Sequence, residues 1–306
     1  MTANTKLSST SIGFIFAISS AALFAIRPIF VKLVYAQGID SITLIAFRML
    51  FSAPIYLIML LWLLRDAEQR ALLTHRTILA TAAIGLLGYY SASLLDLIGL
   101  QYLTAQLARM ILYIYPTMVV ILGALFFSKP LTKKIIIPLI ITYLGVLTIF
   151  MHDLNEFGSD VYLGALFIIA SALSFSIYLL FAKNLITTIG SRIFTCVALL
   201  SASTGIFIHY ALTRSVLEPQ TNATGLFWIL IIAIFCTVIP TFFTTAAVGR
   251  IGADKTGIVA MIGPAFTSTF AVLVLSEAFT VFHLTGIALT ILGVWLLQQY
   301  SSPNDA

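Results

Sequence analysis

The chain alternates long apolar stretches with short polar connections along its whole length. Ten stretches have the length of about 20 predominantly apolar residues that a helix needs to cross the hydrocarbon layer of a bilayer. Their apolar runs are continuous, whereas a membrane β-strand alternates apolar and polar residues over about ten positions. The pattern therefore predicts ten transmembrane helices, at residues 11–35, 41–64, 78–99, 104–128, 134–151, 161–183, 190–213, 225–249, 255–276 and 281–299.

Composition agrees with a membrane protein. Of the 306 residues, 60% are hydrophobic and 9% are charged, whereas about 25% of the residues of a soluble domain are charged. The longest connections, Met151 to Asp160 and Thr213 to Thr224, are too short to hold a soluble domain. The first apolar run is too long for a signal peptide, so we interpret it as an uncleaved span.

The positive charges are concentrated on one side of the predicted helices. With the N-terminus inside, eleven of the sixteen Lys and Arg residues fall in cytoplasmic segments and two fall outside. This bias is the positive-inside rule, and it predicts that both termini are cytoplasmic in an inner (cytoplasmic) membrane. The acidic connection that holds Asp153, Glu156 and Asp160 then faces outward. Since orientation explains the charge, we expect no nucleic-acid partner.

The two halves of the chain resemble each other. At an offset of 151 residues, nine of twenty positions are identical between residues 13–32 and 164–183. At an offset of 148, ten of 43 positions are identical between residues 105–147 and 253–295. We predict two five-helix repeats at 11–151 and 161–299. Because five is an odd number, the second repeat enters the membrane inverted, and two such repeats can rock about a central site.

Particular motifs connect the chain with a known family. Both first spans end in Phe-x-Lys, the second span holds Arg48, and the ninth has a Pro and a Ser-Glu pair before Leu-Gly-Val. These features resemble the drug/metabolite transporter superfamily, and most of all its EamA-like branch, over residues 12–298. The resemblance implies ten helices in two repeats and a transported metabolite. The family includes amino-acid exporters and carriers of nucleotide sugars and cofactors.

Three arginines and one acid, Arg27, Arg48, Arg109 and Asp96, fall inside predicted spans. An arginine near the bilayer centre costs about 2.5–3.5 kcal/mol, so each requires a partner, a wet cavity or a function. We predict that Arg109 or Arg48 pairs with Asp96, which leaves two arginines, Arg27 among them, without a partner. An anionic group on a transported molecule would neutralise them.

The roles of individual charged residues stay open. Arg48 is either architectural, capping a carbonyl or snorkelling outward, or a ligand contact. Arg109 either contacts the ligand or pairs with Asp96. Asp96 itself either pairs with an arginine or carries a coupling proton, and an arginine partner argues against the second role because it favours the charged carboxylate.

Tyrosines and hydroxyl residues share helical faces in other spans. Tyr89, Tyr113 and Tyr178 are candidates to stack on a planar cargo, which would bond their hydroxyl groups. Thr241 and Thr267 are further candidate contacts. Small and hydroxyl residues at such spacing are more often helix-packing surfaces, so both interpretations stay open for the threonines.

Prolines and histidines complete the candidates. Pro28, Pro116 and Pro264 lack a backbone N–H and predict loosened helices where a gate would bend. His209 and His283 are isolated in the sequence, so we assign them structural roles and expect no metal site.

The pattern as a whole favours a secondary transporter that works by alternating access. We expect a small cargo that carries a carboxylate, such as an amino acid or its derivative. The alternative is a nucleotide-like or cofactor metabolite of the S-adenosylmethionine or nucleoside type. A membrane-embedded enzyme is disfavoured because neither a nucleophile with a base nor a metal cluster is visible. We expect no cofactor, and coupling to a proton, exchange of metabolites, a monomer and a homodimer all stay open.

Overall fold

The computed structural model describes residues 9–127, 133–215 and 221–301. Within these ranges the regular structure is helical, and ten helices are long and apolar enough to cross a membrane. The predicted all-α chain with ten spans is confirmed. Lys6 and Lys129, which contribute to the charge bias, lie outside the described residues. The spans are numbered 1 to 10: Ser9–Tyr35, Ser41–Leu63, His75–Tyr102, Ala105–Phe126, Lys134–Phe157, Asp160–Ile189, Ser191–Thr213, Ala223–Ile251, Lys255–Leu275 and Val281–Gln299.

Several spans run further than their apolar stretches. Span 3 begins at His75, where the Thr74 side chain caps the first turn. Span 5 continues to Phe157 and ends at Gly158, whose φ of 81° suits glycine. The prediction of a long connection from residue 151 to 160 is therefore wrong. Polar side chains alone do not end a helix, and this one continues until Gly158 takes a positive φ.

Five spans are interrupted, and the interruptions have two forms. Spans 1, 4 and 9 are each divided into two helices by a one- or two-residue break, whereas spans 3 and 8 each contain a π-helical turn. The divided spans consist of Ser9–Ala25 and Arg27–Tyr35, Ala105–Leu112 and Tyr115–Phe127, and Ala253–Ala260 and Gly263–Leu275. The π-helical turns are Leu86–Ser91 and Ile234–Val238, and a short helix, Ala67–Ala71, connects spans 2 and 3.

Four of the interruptions form pairs at one sequence offset. The two π-helical turns begin at Leu86 and Ile234, which lie 148 positions apart. The breaks in spans 4 and 9 fall at residues 113–114 and 261–262, at the same offset. This is the offset at which the two halves match in sequence. Span 6 runs unbroken, so the break in span 1 has no counterpart there.

The most extensive helix contacts join the first five spans to the last five. Span 5 packs along span 10, span 1 along span 8, span 3 along span 6 and span 2 along span 7. The contact between spans 5 and 10 is reciprocal: a methyl group on Gly145 would overlap the Thr290 hydroxyl, and one on Gly293 would overlap the Thr142 hydroxyl. Helices in a bilayer gain little from burying apolar side chains, because lipid is equally apolar. Small residues such as these glycines stabilise the contact instead, since they let the two backbones approach closely.

Large apolar side chains cover the outside of the bundle. On a soluble protein such a continuous apolar surface would cause aggregation, whereas in a bilayer it faces the acyl chains. Polar groups are instead found between the helices. Exposed side chains include Leu50, Ile58, Leu61, Trp62, Leu125, Phe126, Ile137, Leu166, Leu212, Leu273 and Val281.

Candidate functional site

Arg27 and Asp96 form an ion pair between spans 1 and 3. Arg27 opens the second helix of span 1, directly after the break at Ile26, and this helix packs against the last helix of span 3. The prediction that Arg109 or Arg48 pairs with Asp96, and that Arg27 has no partner, is therefore wrong. The sequence gives the depth of each side chain in the bilayer, but depth does not fix which spans are neighbours.

Arg48 lies in the middle of span 2 and is 3% exposed. Its Nε atom has no hydrogen-bond partner, and among the described residues no carboxylate lies within 4.0 Å of its guanidinium. Both charged groups of the Arg27–Asp96 pair interact electrostatically with the Arg48 guanidinium. A side chain buried to this degree does not snorkel outward, so only the snorkelling form of the architectural role is excluded. Arg48 is thus a buried cation without an acidic partner of its own.

Arg109, in span 4, likewise has no carboxylate within 4.0 Å among the described residues. Its Nε atom has no hydrogen-bond partner, and its guanidinium carbon lies 5.2 Å from the centroid of the Tyr113 ring. The Tyr113 hydroxyl donates to the carbonyl of Ala260, which joins the breaks in spans 4 and 9. Gly263 leaves room for that hydroxyl. Of the two predicted roles of Arg109, pairing with Asp96 is excluded.

Tyr89 and Tyr178 meet between spans 3 and 6. Tyr178 donates a hydrogen bond of 3.0 Å to the Tyr89 hydroxyl, and their ring centroids lie 5.2 Å apart edge to face. Gly88, in the π-helical turn, permits this approach because a methyl group there would overlap the Tyr178 ring. The hydroxyl groups of Tyr89, Tyr113 and Tyr178 therefore take part in hydrogen bonds within the protein, and no cargo is needed to bond them.

The two candidate threonines differ in their surroundings. Thr267 is fully buried and donates to the carbonyl of Ala25 at 2.8 Å. That carbonyl has lost its usual helical donor, since the N–H of Ile29 bonds to Ile26 at the break in span 1. The contact of Thr267 thus stabilises the broken helix, as in the helix-packing interpretation. Thr241 donates to a carbonyl one turn earlier and lines a cavity.

The cavity has a volume of about 460 Å³ and lies between spans 1, 2, 7 and 8. It is formed at the end of the bundle where span 1 begins and span 2 ends, the end that the charge bias assigns to the cytoplasm. Five of its thirteen lining residues are aromatic, and Arg192 and Arg250 are exposed beside it. It is lined by Phe16, Tyr56, Met59, Trp62, Leu63, Arg192, Thr195, Thr241, Phe242, Phe243, Thr245, Ala246 and Arg250.

One face of span 2 connects this cavity with Arg48. Arg48, Ser52 and Tyr56 follow each other at four-residue spacing, which places them on one side of the helix. Arg48 lies about 12 Å deeper than Tyr56 at the helical rise of 1.5 Å per residue. Tyr56 lines the cavity and is 1% exposed. The cavity wall and the buried cation thus share one helix face.

Sequence reasoning missed most of the cavity lining, including Phe16, Tyr56, Arg192 and Arg250. The four-residue spacing from Arg48 would have found Tyr56. No sequence signal singles out the others, because they meet only when the ends of four spans pack together. In the sequence, Arg192 and Arg250 contribute only to the charge bias between the two sides of the membrane.

The three candidate prolines all lie at breaks. Pro28 follows the break at Ile26 in span 1. Pro116 and Pro264 occupy the first turn of the helices Tyr115–Phe127 and Gly263–Leu275, where a missing backbone N–H leaves no hydrogen bond unmade. The predicted loosening of the helices at these prolines agrees with the breaks, whereas the gating role stays a prediction.

The histidines have specific partners. His209 Nδ1 lies 2.8 Å from the Tyr90 hydroxyl, which agrees with the structural role predicted for it. His283 lies beside His152 and Asp153, so the prediction that His283 is isolated is wrong. Spans 5 and 10 bring together residues that are far apart in the sequence.

Ten helices long and apolar enough to cross a bilayer define the protein as a multi-pass membrane protein. Comparison with known proteins agrees, since the chain matches the EamA-like transporter family over residues 11–151 and 162–298. The chain therefore belongs to the EamA-like transporter family, and it is a membrane transporter. The predicted resemblance to this family is confirmed.

Individual relatives match over almost their whole length. The uncharacterized transporter YcbK of Bacillus subtilis (strain 168) is 24% identical over 290 residues, which cover 92% of this chain and 91% of YcbK. An uncharacterized transporter of Clostridium kluyveri is 24% identical over 302 residues, 96% of this chain and 94% of its own. A crystal structure with 14% identity aligns over 99% of both chains with a TM-score of 0.65, which shows a shared fold alone.

Proposed function

We propose that this protein is a secondary transporter that carries a small metabolite with a carboxylate group across the inner membrane by alternating access. The observation that carries the proposal is the burial of Arg48 at mid-span with no acid of its own. An intramembrane cation needs a counter-charge or a function. A cargo carboxylate that binds Arg48 supplies that counter-charge only while the cargo is bound.

The cavity supplies the route to Arg48. Arg192 and Arg250 are exposed at its mouth, on the proposed cytoplasmic side, and attract anions from solution. Aromatic walls formed by residues such as Phe16 then hold the apolar part of the cargo. Tyr56 lies on the same face of span 2 as Arg48 and lines the cavity. The cargo passes from solvated arginines to a buried one.

Two related halves supply the alternating motion. The proposal that they are inverted repeats, with both termini in the cytoplasm, is supported by the paired interruptions of spans 3 and 8 and of spans 4 and 9. It is also supported by the two family matches, at residues 11–151 and 162–298, and by the reciprocal glycine and threonine contacts of spans 5 and 10. Rocking of one half against the other closes the cytoplasmic cavity and opens a path on the outer side.

An amino acid or a similar carboxylate is the cargo that the cavity favours. Its 460 Å³ lies toward the low end of the range of about 300–1,000 Å³ for small-molecule sites. The walls offer aromatic surface and the hydroxyl groups of three threonines, Thr195, Thr241 and Thr245. A nucleotide-like metabolite is the second candidate, because the same aromatic walls suit a planar base and the same arginines suit a phosphate.

The direct test is a thermal-shift screen of the purified protein with matched ligands. Amino acids, their uncharged amides, and nucleoside or nucleotide metabolites are compared, since a ligand of the folded state raises its apparent stability. We expect a carboxylate to stabilise the protein and its amide to have no effect. Arg48→Gln should weaken binding about tenfold or more, because a charge-assisted hydrogen bond contributes about 1.5–3 kcal/mol.

Arg65→Gln is the matched control. Arg65 follows span 2 and is exposed, so removing its charge should leave carboxylate binding unchanged. Proteoliposomes then separate a carrier from an enzyme, because a carrier accumulates the labelled metabolite unaltered. Equal stabilisation by the carboxylate and its amide, or equal affinity of the Arg48→Gln and wild-type proteins, would contradict the proposed recognition.

A further inference from the structure

Two histidines and an aspartate form a compact cluster outside the proposed transport route. His152 and Asp153 lie near the end of span 5, and His283 lies near the beginning of span 10. The potential ligand atoms of these three residues all lie within 4.8 Å of one another. We call His152, Asp153 and His283 the histidine cluster. None of the three lines the 460 Å³ cavity.

The separations within the histidine cluster suit a metal ion. His152 Nδ1 lies 3.2 Å from Asp153 Oδ1, and His283 Nε2 lies 3.6 Å from the same oxygen. Zinc bonds to nitrogen and oxygen are about 2.0–2.2 Å long, which places neighbouring ligands of a tetrahedral site about 3.3 Å apart. Two of the three ligand separations therefore already agree with a tetrahedral ion to within a few tenths of an ångström.

Neighbouring hydroxyl groups hold two of the ligands in place. The Thr104 hydroxyl donates to Asp153 Oδ2 at 2.7 Å, so the other carboxylate oxygen, Oδ1, faces the two imidazoles. The Thr280 hydroxyl lies 2.9 Å from His283 Nδ1. The backbone N–H of Thr280 also donates to this nitrogen, at 3.3 Å, so without a metal Nδ1 accepts and Nε2 carries the ring proton. A metal that binds Nε2 displaces that proton and requires the other tautomer, in which Nδ1 donates to the Thr280 hydroxyl. Metal-binding histidines and carboxylates commonly have such supporting partners.

Charge gives an independent argument. The side chain of Asp153 is 1% exposed and that of His283 is 2% exposed. No lysine or arginine of the described residues lies within 4.0 Å of the Asp153 carboxylate. A buried carboxylate beside two imidazoles and the Thr104 hydroxyl is costly while both rings are neutral, because none of these groups then supplies a counter-charge. A divalent cation would supply the counter-charge and bind both rings at once.

We propose that the histidine cluster binds one divalent first-row transition metal ion, of the Zn²⁺ type, with water in the remaining coordination position. Two imidazoles and one carboxylate are ligands that favour zinc among the common divalent cations, and three protein ligands leave a fourth position open. The ion ties span 5 to span 10, and through Thr104 to the start of span 4. This inference does not depend on the proposed cargo or on alternating access.

The test measures metal directly on tag-free, chelator-treated protein. Cobalt(II) is titrated into the protein as a spectroscopic probe, zinc is used to displace it, and bound metal is counted after desalting. We expect one ion per chain, visible absorption bands of tetrahedral cobalt, and a higher midpoint of thermal unfolding with zinc than with chelator. These wild-type measurements decide the proposal even if a variant fails to fold.

Variants assign the ion to the cluster. His152→Ala and His283→Ala should each abolish stoichiometric binding, and Thr280→Ala should weaken it about tenfold through loss of the supporting hydroxyl. His209→Asn is the matched control, because His209 bonds to Tyr90 in a different part of the bundle. In the metal-free alternative, Nε2 of His283 carries a proton and donates it to Asp153. Absence of bound metal, or equal binding by the double variant of His152 and His283, would overturn the proposal.

Discussion

The ion pair of Arg27 and Asp96 allows a quantitative test of the packing of spans 1 and 3. Asp96→Asn removes the negative partner and leaves Arg27 in the bundle without a counter-charge. Breaking a buried ion pair in this way costs about 3–5 kcal/mol. The two side chains are 18% and 10% exposed, so water screens them in part, and we expect the low end, about 3 kcal/mol of the free energy of unfolding.

The second variant tests whether the loss comes from the pair itself. Arg27→Gln together with Asp96→Asn removes both charges and keeps two amides that can bond to each other. Because neutral replacement of a buried pair is often tolerated, the double variant should be more stable than Asp96→Asn alone. We expect a coupling energy of about 2 kcal/mol, within the range of residues in direct contact.

Unfolding in mixed micelles of a mild detergent and dodecyl sulfate measures these free energies. The control cycle combines Arg109→Gln with Asp96→Asn, the pairing that the structure excludes, and its effects should add within about 0.5 kcal/mol. Coupling below about 0.5 kcal/mol for Arg27, or equal coupling for Arg109, would refute the assignment of Arg27 as the partner of Asp96.

Two further predictions concern helix geometry. Gly88→Ala should destabilise the protein by about 1–3 kcal/mol, because the new methyl group overlaps the Tyr178 ring. The control in the same unfolding assay is Gly249→Ala, where the added methyl group meets no other atom. This control should be neutral or slightly stabilising, because alanine favours a helix more than glycine does. Replacing Pro116 and Pro264 together with alanine should slow transport in proteoliposomes more than it weakens ligand binding, because both prolines open helices after breaks; an unchanged transport rate would remove these breaks from the gate.

For the candidate site, the sequence predicts how many intramembrane arginines have no acid but not which arginine pairs with Asp96. The three arginines and one acid inside predicted spans predict that two of these three arginines have no acid, and in the structure Arg48 and Arg109 have none within 4.0 Å. The sequence nevertheless assigns the wrong partner to Asp96, because pairing depends on lateral neighbours. The break at Ile26 separates Arg27 from the first helix of span 1 and places it at the start of a helix that packs against span 3.

The histidine cluster shows the same limit. His152, Asp153 and His283 have no motif spacing, because two lie on span 5 and one on span 10. They meet because Gly145 and Gly293 allow those two spans to pack closely along their length. The cavity is similar, since its wall combines the ends of four spans. In both cases the chemistry belongs to a contact between helices, which no single stretch of sequence contains.

The sequence by itself determined the ten spans and their approximate ends, because the thickness of the bilayer and the need to bond every backbone group leave continuous apolar helices as the available solution. It also contained the 148-residue offset at which the interruptions recur. Only the tertiary structure decided which arginine meets Asp96, where the cavity lies and which histidines cluster. The physical reason is that lipid is as apolar as the side chains that face it, so helix neighbours are chosen by close fit and by polar contacts between spans.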